Sequence, residues 1–353
     1  MSDGVPPIDD APQHAPRPFP LFLSMLRSET AQDPDRRAAA LRGLARYQSA
    51  LRPPRPAAMP AVATAGRAAL RDYGGQGRPV VFVPSLINPP FVLDLAADQS
   101  LLRWLASHGL RTLLVNWGGP THADREQDVT AHIERLLLPM LATLGQPPVL
   151  VGYCLGGTIA LAAARAARAH AVGLIAAPWH FSGFPAHARA EIAALWDAAR
   201  PACEAFGLVP MEVLQSGFWK LDPARTIAKY EALATADNAA LARFVALEDW
   251  ANAGAPLTLA AGRQMFEDFF KADTPGTGAW RVAGDLVDPA TLDCPVADFV
   301  SLTDRIVPAG TSASVGIRHD IDAGHVGMVV GSRSRALLWE PLADWLKTVA
   351  LAR

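Results

Sequence analysis

The stretch Val151-Gly152-Tyr153-Cys154-Leu155-Gly156-Gly157-Thr158 decides the fold. It continues the apolar run Pro148-Val149-Leu150 and precedes an alanine-rich helical pattern from Thr158 to Ala169. A strand that runs straight into Gly-x-Cys-x-Gly and then into a helix is a nucleophile elbow, with Cys where Ser is commoner. The tip residue of so sharp a turn sits in strained backbone geometry. Gly152 and Gly156 lack the Cβ atoms that would collide with neighbouring chain. The positive end of the following helix favours a thiolate at Cys154, and the Leu155 amide is set to donate to an oxyanion. A buried free cysteine beside a glycine-rich turn is the plainer reading, and the strand–elbow–helix context weighs against it.

Outward from the elbow, strands and helices alternate. Val80–Val83, Thr112–Trp117, Pro148–Tyr153 and Val172–Ala177 read as apolar strands. Ser100–Gly109, Val129–Leu144 and Thr158–Ala169 read as helices between them. Continuous apolar strands separated by amphipathic helices predict a parallel sheet covered on both faces. From Pro178 to Trp280 the pattern is helical with no convincing strand. Alternation resumes at Val296–Ser301 and Gly316–Ile321 and closes with a helix over Arg335–Val349. An insertion of that length above a sheet is expected to be a helical cap. Ahead of the sheet, residues 1–18 are proline-rich and read as a flexible lead. Helical spacing from Leu21 to Leu51 breaks at Asp33-Pro34, and Arg52-Pro53-Pro54-Arg55-Pro56 reads as a stiff connector. The expected division is a lead and helical segment over 1–56, then a catalytic domain over 57–353 with its cap at about 178–280.

The chain of 353 residues is half hydrophobic and 19% charged, which excludes a disordered chain and leaves material for a large core. A formal net charge of −2 without any Lys/Arg block gives no sign of nucleic acid as a partner. Three cysteines without paired spacing argue against a disulfide framework or a structural zinc site, so no metal is expected and a reducing compartment is the simpler reading. No basic region followed by an apolar stretch opens the chain, and no run of about 18 apolar residues occurs. A cytoplasmic protein without a transmembrane segment is expected.

A nucleophile needs a base, and the base needs an orienting carboxylate. Asp304 follows the strand that ends at Ser301, and His325 follows the next strand within Ala323-Gly324-His325-Val326-Gly327. Nucleophile, acid and histidine thus occur in the chain order that suits an elbow of this kind, on loops at the carboxyl edge of the sheet. The second oxyanion donor is expected from Pro84-Ser85-Leu86-Ile87-Asn88, from the amide of Leu86 or Ile87. His180, after the fourth strand, is a candidate substrate contact. His14, His108, His132, His170, His187 and His319 read as exposed or hydrogen-bonded, and Cys203 and Cys294 as inert. A cysteine nucleophile exchanges one thioester for another with little change in free energy, so its acyl group stays activated for transfer to a hydroxyl. That points to acyl transfer from a coenzyme A thioester rather than simple ester hydrolysis.

With these residues in place, the sequence resembles the polyhydroxyalkanoate synthases. Gly152–Thr158 resembles their lipase-like box, which has Cys as nucleophile. Pro84–Asn88 with Leu93-Asp94-Leu95 resembles their loop after the early strand, and Asn116-Trp117-Gly118-Gly119-Pro120 their Trp-containing turn. Asp304-Arg305-Ile306-Val307-Pro308 and Gly324-His325-Val326 are similar to the segments that carry their acid and base. The family usually has His where this chain has Arg305. The resemblance implies an α/β-hydrolase fold and polymerisation of (R)-3-hydroxyacyl-coenzyme A with release of coenzyme A. It implies Cys154 as the acylated residue, His325 as its base, and Asp304 as the group that helps activate the hydroxyl of the growing polyester. No cofactor is implied beyond the coenzyme A thioester as substrate. It also implies a homodimer or a second synthase subunit, and a place at polyester granules. Two alternatives stay open: a cysteine-dependent hydrolase of the same fold (an acyl-coenzyme A thioesterase or polyester depolymerase), and a non-catalytic granule-associated relative.

Overall fold

Residues 15–52 and 56–351 are described by a computed structural model. Most of the proline-rich lead, including His14, and residues 53–55 of the connector lie outside them. Eight strands form the main sheet: β1 (Ala61–Ala65), β2 (Ala68–Asp72), β3 (Gln76–Val83), β4 (Leu110–Asn116), β5 (Val149–Tyr153), β6 (Ala171–Ile175), β7 (Val296–Ser301) and β8 (Ile317–Ile321). Their spatial order is β1-β2-β4-β3-β5-β6-β7-β8. β2 runs antiparallel to both β1 and β4, and the other neighbours are parallel. The first two strands escape a sequence reading because alanine, which dominates them, is a poor strand former.

β3, β5 and β6 are the apolar strands the sequence announces, and β5 and β6 are buried along their whole length. Each fully buried Val, Leu or Phe side chain contributes about 1.5–3 kcal/mol, so these strands have one available depth, the centre. β5 lies between β3 and β6. The carboxyl ends of β3 and β5 are therefore neighbours, and the loop after β3 stands beside whatever follows β5. The helix after β5 is Leu155–Ala164, with all ten residues buried. It begins three residues earlier than the expected Thr158, because the glycine pair that reads as loop is packed helix. A helix that is apolar on every side is a core helix.

Two compact units divide the chain. The sheet unit holds 55–217 and 254–353; the other holds 1–54 with Phe218–Ala253. The single cap drawn from 178 to 280 is thus divided: its middle third groups with the N-terminal helices. In that helical unit, Phe19–Glu29 and Pro34–Ser49 pack with Pro223–Leu233 and Asn238–Asn252 around Phe22, Leu44, Tyr47, Ile227 and Tyr230. Asp33, which reads as a break, is the N-cap of the second helix, accepting from the Arg36 amide at 3.0 Å ahead of Pro34. Two buried phenols have carboxylate partners here: Tyr47 donates to Asp249 and Tyr230 to Glu248, each at 2.7 Å. Within the sheet unit the expected all-helical stretch also contains a short strand pair, Leu208–Val209 with Leu257–Thr258. No helix among the described residues is long and apolar enough to cross a membrane.

Candidate active site

Cys154 sits where β5 meets its helix, at φ 56° and ψ −132°. Few non-glycine residues tolerate that region. Its amide donates to the Ile175 carbonyl at 2.9 Å and its carbonyl accepts from the Gly157 amide at 2.8 Å, so both sides of the turn are tied down. The glycines allow the close approach. A Cβ on Gly152 would lie 2.3 Å from the Gly156 oxygen, and one on Gly156 would lie 2.0 Å from the Val83 oxygen. Gly157, which the sequence reading gave no role, is equally constrained, since its Cβ would meet that of Ala177 at 2.2 Å. Cys154 itself is half-buried and so reachable.

His325 and Asp304 come from the loops after β8 and β7. Both are nearly buried, at 7% and 8% exposure. His325 Nδ1 and Asp304 Oδ2 are 2.5 Å apart, while Asp304 Oδ1 accepts from the amides of Ile306 at 2.7 Å and Val307 at 3.0 Å. The carboxylate is thereby fixed in orientation and directs its free edge at the imidazole. The Ser301 hydroxyl donates to the Ala323 carbonyl and links the two loops. Cys154 lies close enough to the His325 ring to bear on the imidazole's protonation. Burial pulls the imidazole pKa down, but the charges of Asp304 and then Cys154, with the hydrogen bond to Asp304, leave it well above its ordinary value. Imidazolium is the favoured form.

Tyr153, given no role in the sequence reading, lies against the same ring. The two rings stack at 5.1 Å between centroids and 27° between planes, and the phenol donates to the His325 carbonyl at 3.3 Å. Burial, with Cys154 and Asp304 nearby, holds the phenol pKa far above its ordinary value, so it stays neutral.

The loop after β3 borders the elbow, as the contact of Gly156 with Val83 and Pro84 requires. The Ile87 amide donates to the Ser85 hydroxyl at 3.1 Å, so of the two amides left open by the sequence it is Leu86 that stays a candidate donor. Leu155 is the first residue of its helix, and an amide there has no intrahelical acceptor. Trp117 Nε1 donates to the Pro84 carbonyl at 3.1 Å and pins this loop. Trp117 in turn meets His132 edge to face, 5.9 Å between centroids. Burial drives the His132 pKa down to about 4, so the ring is neutral. Its Nδ1 then donates to the Asp128 carbonyl at 2.6 Å and its Nε2 accepts from Arg67 at 2.7 Å.

His180 is placed less informatively. Its amide donates to the Thr311 carbonyl at 3.0 Å, and no contact of its ring with Cys154 or His325 is found among the described residues. The segment after it is organised by Asp273, another residue without a sequence signal, which accepts from the amides of Phe181 at 2.8 Å and Ser182 at 3.0 Å. Cys203 is buried in the core and Cys294 half-buried; burial raises the pKa of both thiols.

Strand order, elbow and loop-borne acid and histidine define an α/β-hydrolase fold. A family model described as alpha/beta hydrolase fold matches residues 78–189. Among solved structures, the monoacylglycerol lipase of Paleococcus ferrophilus shares the fold at a TM-score of 0.50 and 16% identity, over 80% of this chain and 99% of that one. More particularly, the chain is similar to proteins named poly(3-hydroxyalkanoate) polymerase subunits. It is 28% identical over 285 residues to the poly(3-hydroxyalkanoate) polymerase subunit PhaC of Haloferax mediterranei, covering 76% of this chain and 58% of the relative. The subunit of the same name from Haloarcula marismortui is 26% identical over 285 residues, 76% of this chain and 60% of the relative. The chain thus spans about three fifths of the length of these relatives.

Proposed function

We propose that the protein is an acyltransferase that polymerises (R)-3-hydroxyacyl groups from coenzyme A thioesters through an acyl-cysteine at Cys154. The observation that carries the reading is the pairing of His325 with Asp304 beside Cys154 at its strained turn, close enough for Cys154 to bear on the imidazole. The likeness to proteins named polymerase subunits gives it a substrate class.

In the first half-reaction the Cys154 thiolate attacks the thioester carbonyl. The developing oxyanion is met by the Leu155 and Leu86 amides. The carbon–sulfur bond to coenzyme A breaks, and the departing thiolate takes the proton held on His325. In the second, the hydroxyl of an acceptor chain attacks the acyl-cysteine. His325 removes the hydroxyl proton, the new ester forms, and Cys154 leaves as thiolate beside imidazolium. Asp304 has Oδ1 engaged by two amides and Oδ2 engaged by the imidazole. Its part is therefore to orient and charge-stabilise His325, and the hydroxyl's base is His325. This departs from a direct role for Asp304 at the hydroxyl. His180 is kept as a substrate contact on its place after β6 alone.

A second synthase subunit or a second copy is the proposed partner, supported by the word "subunit" in the relatives' names, and the proposed place is the cytoplasm at the polyester surface. The experiment is incubation with (R)-3-hydroxybutyryl-coenzyme A. Coenzyme A release with polymer is the expected result. Free 3-hydroxybutyrate without polymer makes the protein a hydrolase, and no turnover with or without a partner subunit makes it a non-catalytic relative.

A further inference from the structure

We infer that Tyr153 is a positioning residue: its ring is a π-face clamp that holds His325 as imidazolium, facing the sulfur of the adjacent Cys154. The inference rests on the proposed nucleophile and adds to it a reason why the imidazole keeps its place beside Cys154.

The geometry begins with the elbow. Cys154 is turned out of β5 by its positive φ, while Tyr153, one residue earlier, is still strand and is 3% exposed. Consecutive strand residues point to opposite faces, yet the turn at Cys154 brings both side chains to the same imidazole. The ring-to-ring separation of 5.1 Å and tilt of 27° put the imidazole over the phenol face. A cation over an aromatic face is attracted by the ring quadrupole, and more strongly without water. The phenol hydroxyl fixes the same residue from its backbone, donating to the His325 carbonyl.

Among the described residues, three groups face the imidazole: Asp304 from the loop after β7, Cys154 from the elbow, and Tyr153 from β5. The third, Tyr153, is a neutral π surface. Asp304 and Cys154 supply charge at two edges of the ring. Tyr153 acts on its face and limits rotation about the Cβ–Cγ bond, the motion that would carry Nε2 away from sulfur. Nothing about a residue preceding the nucleophile in sequence marks it for this task.

The test is the pH profile of Cys154 alkylation by iodoacetamide, read by peptide mass spectrometry, in the wild type, Tyr153→Phe and Tyr153→Leu. Thermal melts accompany each variant. Loss of the π face is expected to lower the upper apparent pKa of the pair by about one unit, and the neutral-pH alkylation rate by up to about tenfold, in Tyr153→Leu. Tyr153→Phe keeps the face and is expected to stay within about twofold of wild type in rate. A folded Tyr153→Leu with the wild-type profile overturns the inference. If Tyr153→Leu does not fold, Tyr153→Phe decides alone: a profile displaced by about one unit shows that the hydroxyl, not the face, acts, and overturns it. A wild-type Cys154 that resists alkylation at every pH is a different failure, because it removes the proposed nucleophile itself.

Discussion

Asp304 meets His325 at 2.5 Å with one carboxylate oxygen and two backbone amides with the other, so both oxygens are engaged in holding its own loop and the histidine ring. An acid placed in this way fixes a tautomer and a charge, and its loss is felt through the histidine.

Asp304→Asn keeps the shape but presents an amide where an anion stood. The imidazole loses its charge partner, and the ring is free to adopt the wrong tautomer. Turnover is expected to fall by roughly 10²–10⁴-fold, with a smaller change in KM. Steady-state coenzyme A release measures both.

The raised pKa of His325 has a consequence for stability. Its folded-state value lies above the unfolded value of about 6.5. The extra stability is therefore complete below about pH 6.5 and is lost as pH rises through the elevated folded value. Urea unfolding of wild type and His325→Gln should show a wild-type advantage that shrinks across that alkaline window. An advantage that grows with pH would mean the ring is held neutral.

Trp117→Phe removes the indole donor to the Pro84 carbonyl while keeping an aromatic face for His132. The loop that offers the Leu86 amide is then less firmly held. One hydrogen bond of about 1 kcal/mol corresponds to about fivefold, so kcat is expected to fall by about five- to tenfold. Thioester binding, read as KM, should change less than twofold. A larger change in KM than in kcat would place Trp117 in substrate binding instead.

Gly156→Ala inserts a methyl 2.0 Å from the Val83 oxygen, which belongs to a strand that cannot give way. A cost of about 1–3 kcal/mol or more in unfolding free energy is expected. Chemical denaturation measures it. Gly324→Ala, whose added Cβ meets nothing within 4 Å, is the control and should melt like wild type.

Much of this was legible in the sequence. The elbow is written in adjacent residues, because a strained turn packed against two strands admits only glycine at Gly152 and Gly156. The loops of Asp304 and His325 each follow a strand that the sequence announces, Val296–Ser301 and Gly316–Ile321, and strand ends are where a parallel sheet presents its loops. What stayed hidden depends on pairs far apart in the chain. Tyr153 reads as one more apolar strand residue until His325, 172 positions on, closes over it. Trp117 needs Pro84, 33 residues earlier. The helical spacing of Ile227, Tyr230 and Leu233 announces a buried face, but not that Phe22 and Tyr47 cover it. The strand pair β1–β2 failed for a different reason: its alanines carry little strand preference, and the pairing comes from the neighbouring β4 edge.

The central claim is that Cys154 carries the acyl group. Brief exposure of the protein to (R)-3-hydroxybutyryl-coenzyme A, quenching in acid and peptide mass spectrometry test it directly. A mass increase of one or more hydroxybutyryl units on the Cys154 peptide, absent in Cys154→Ala, is the expected result. Coenzyme A release by wild-type protein with an unmodified Cys154, or release that persists in Cys154→Ala, would contradict it.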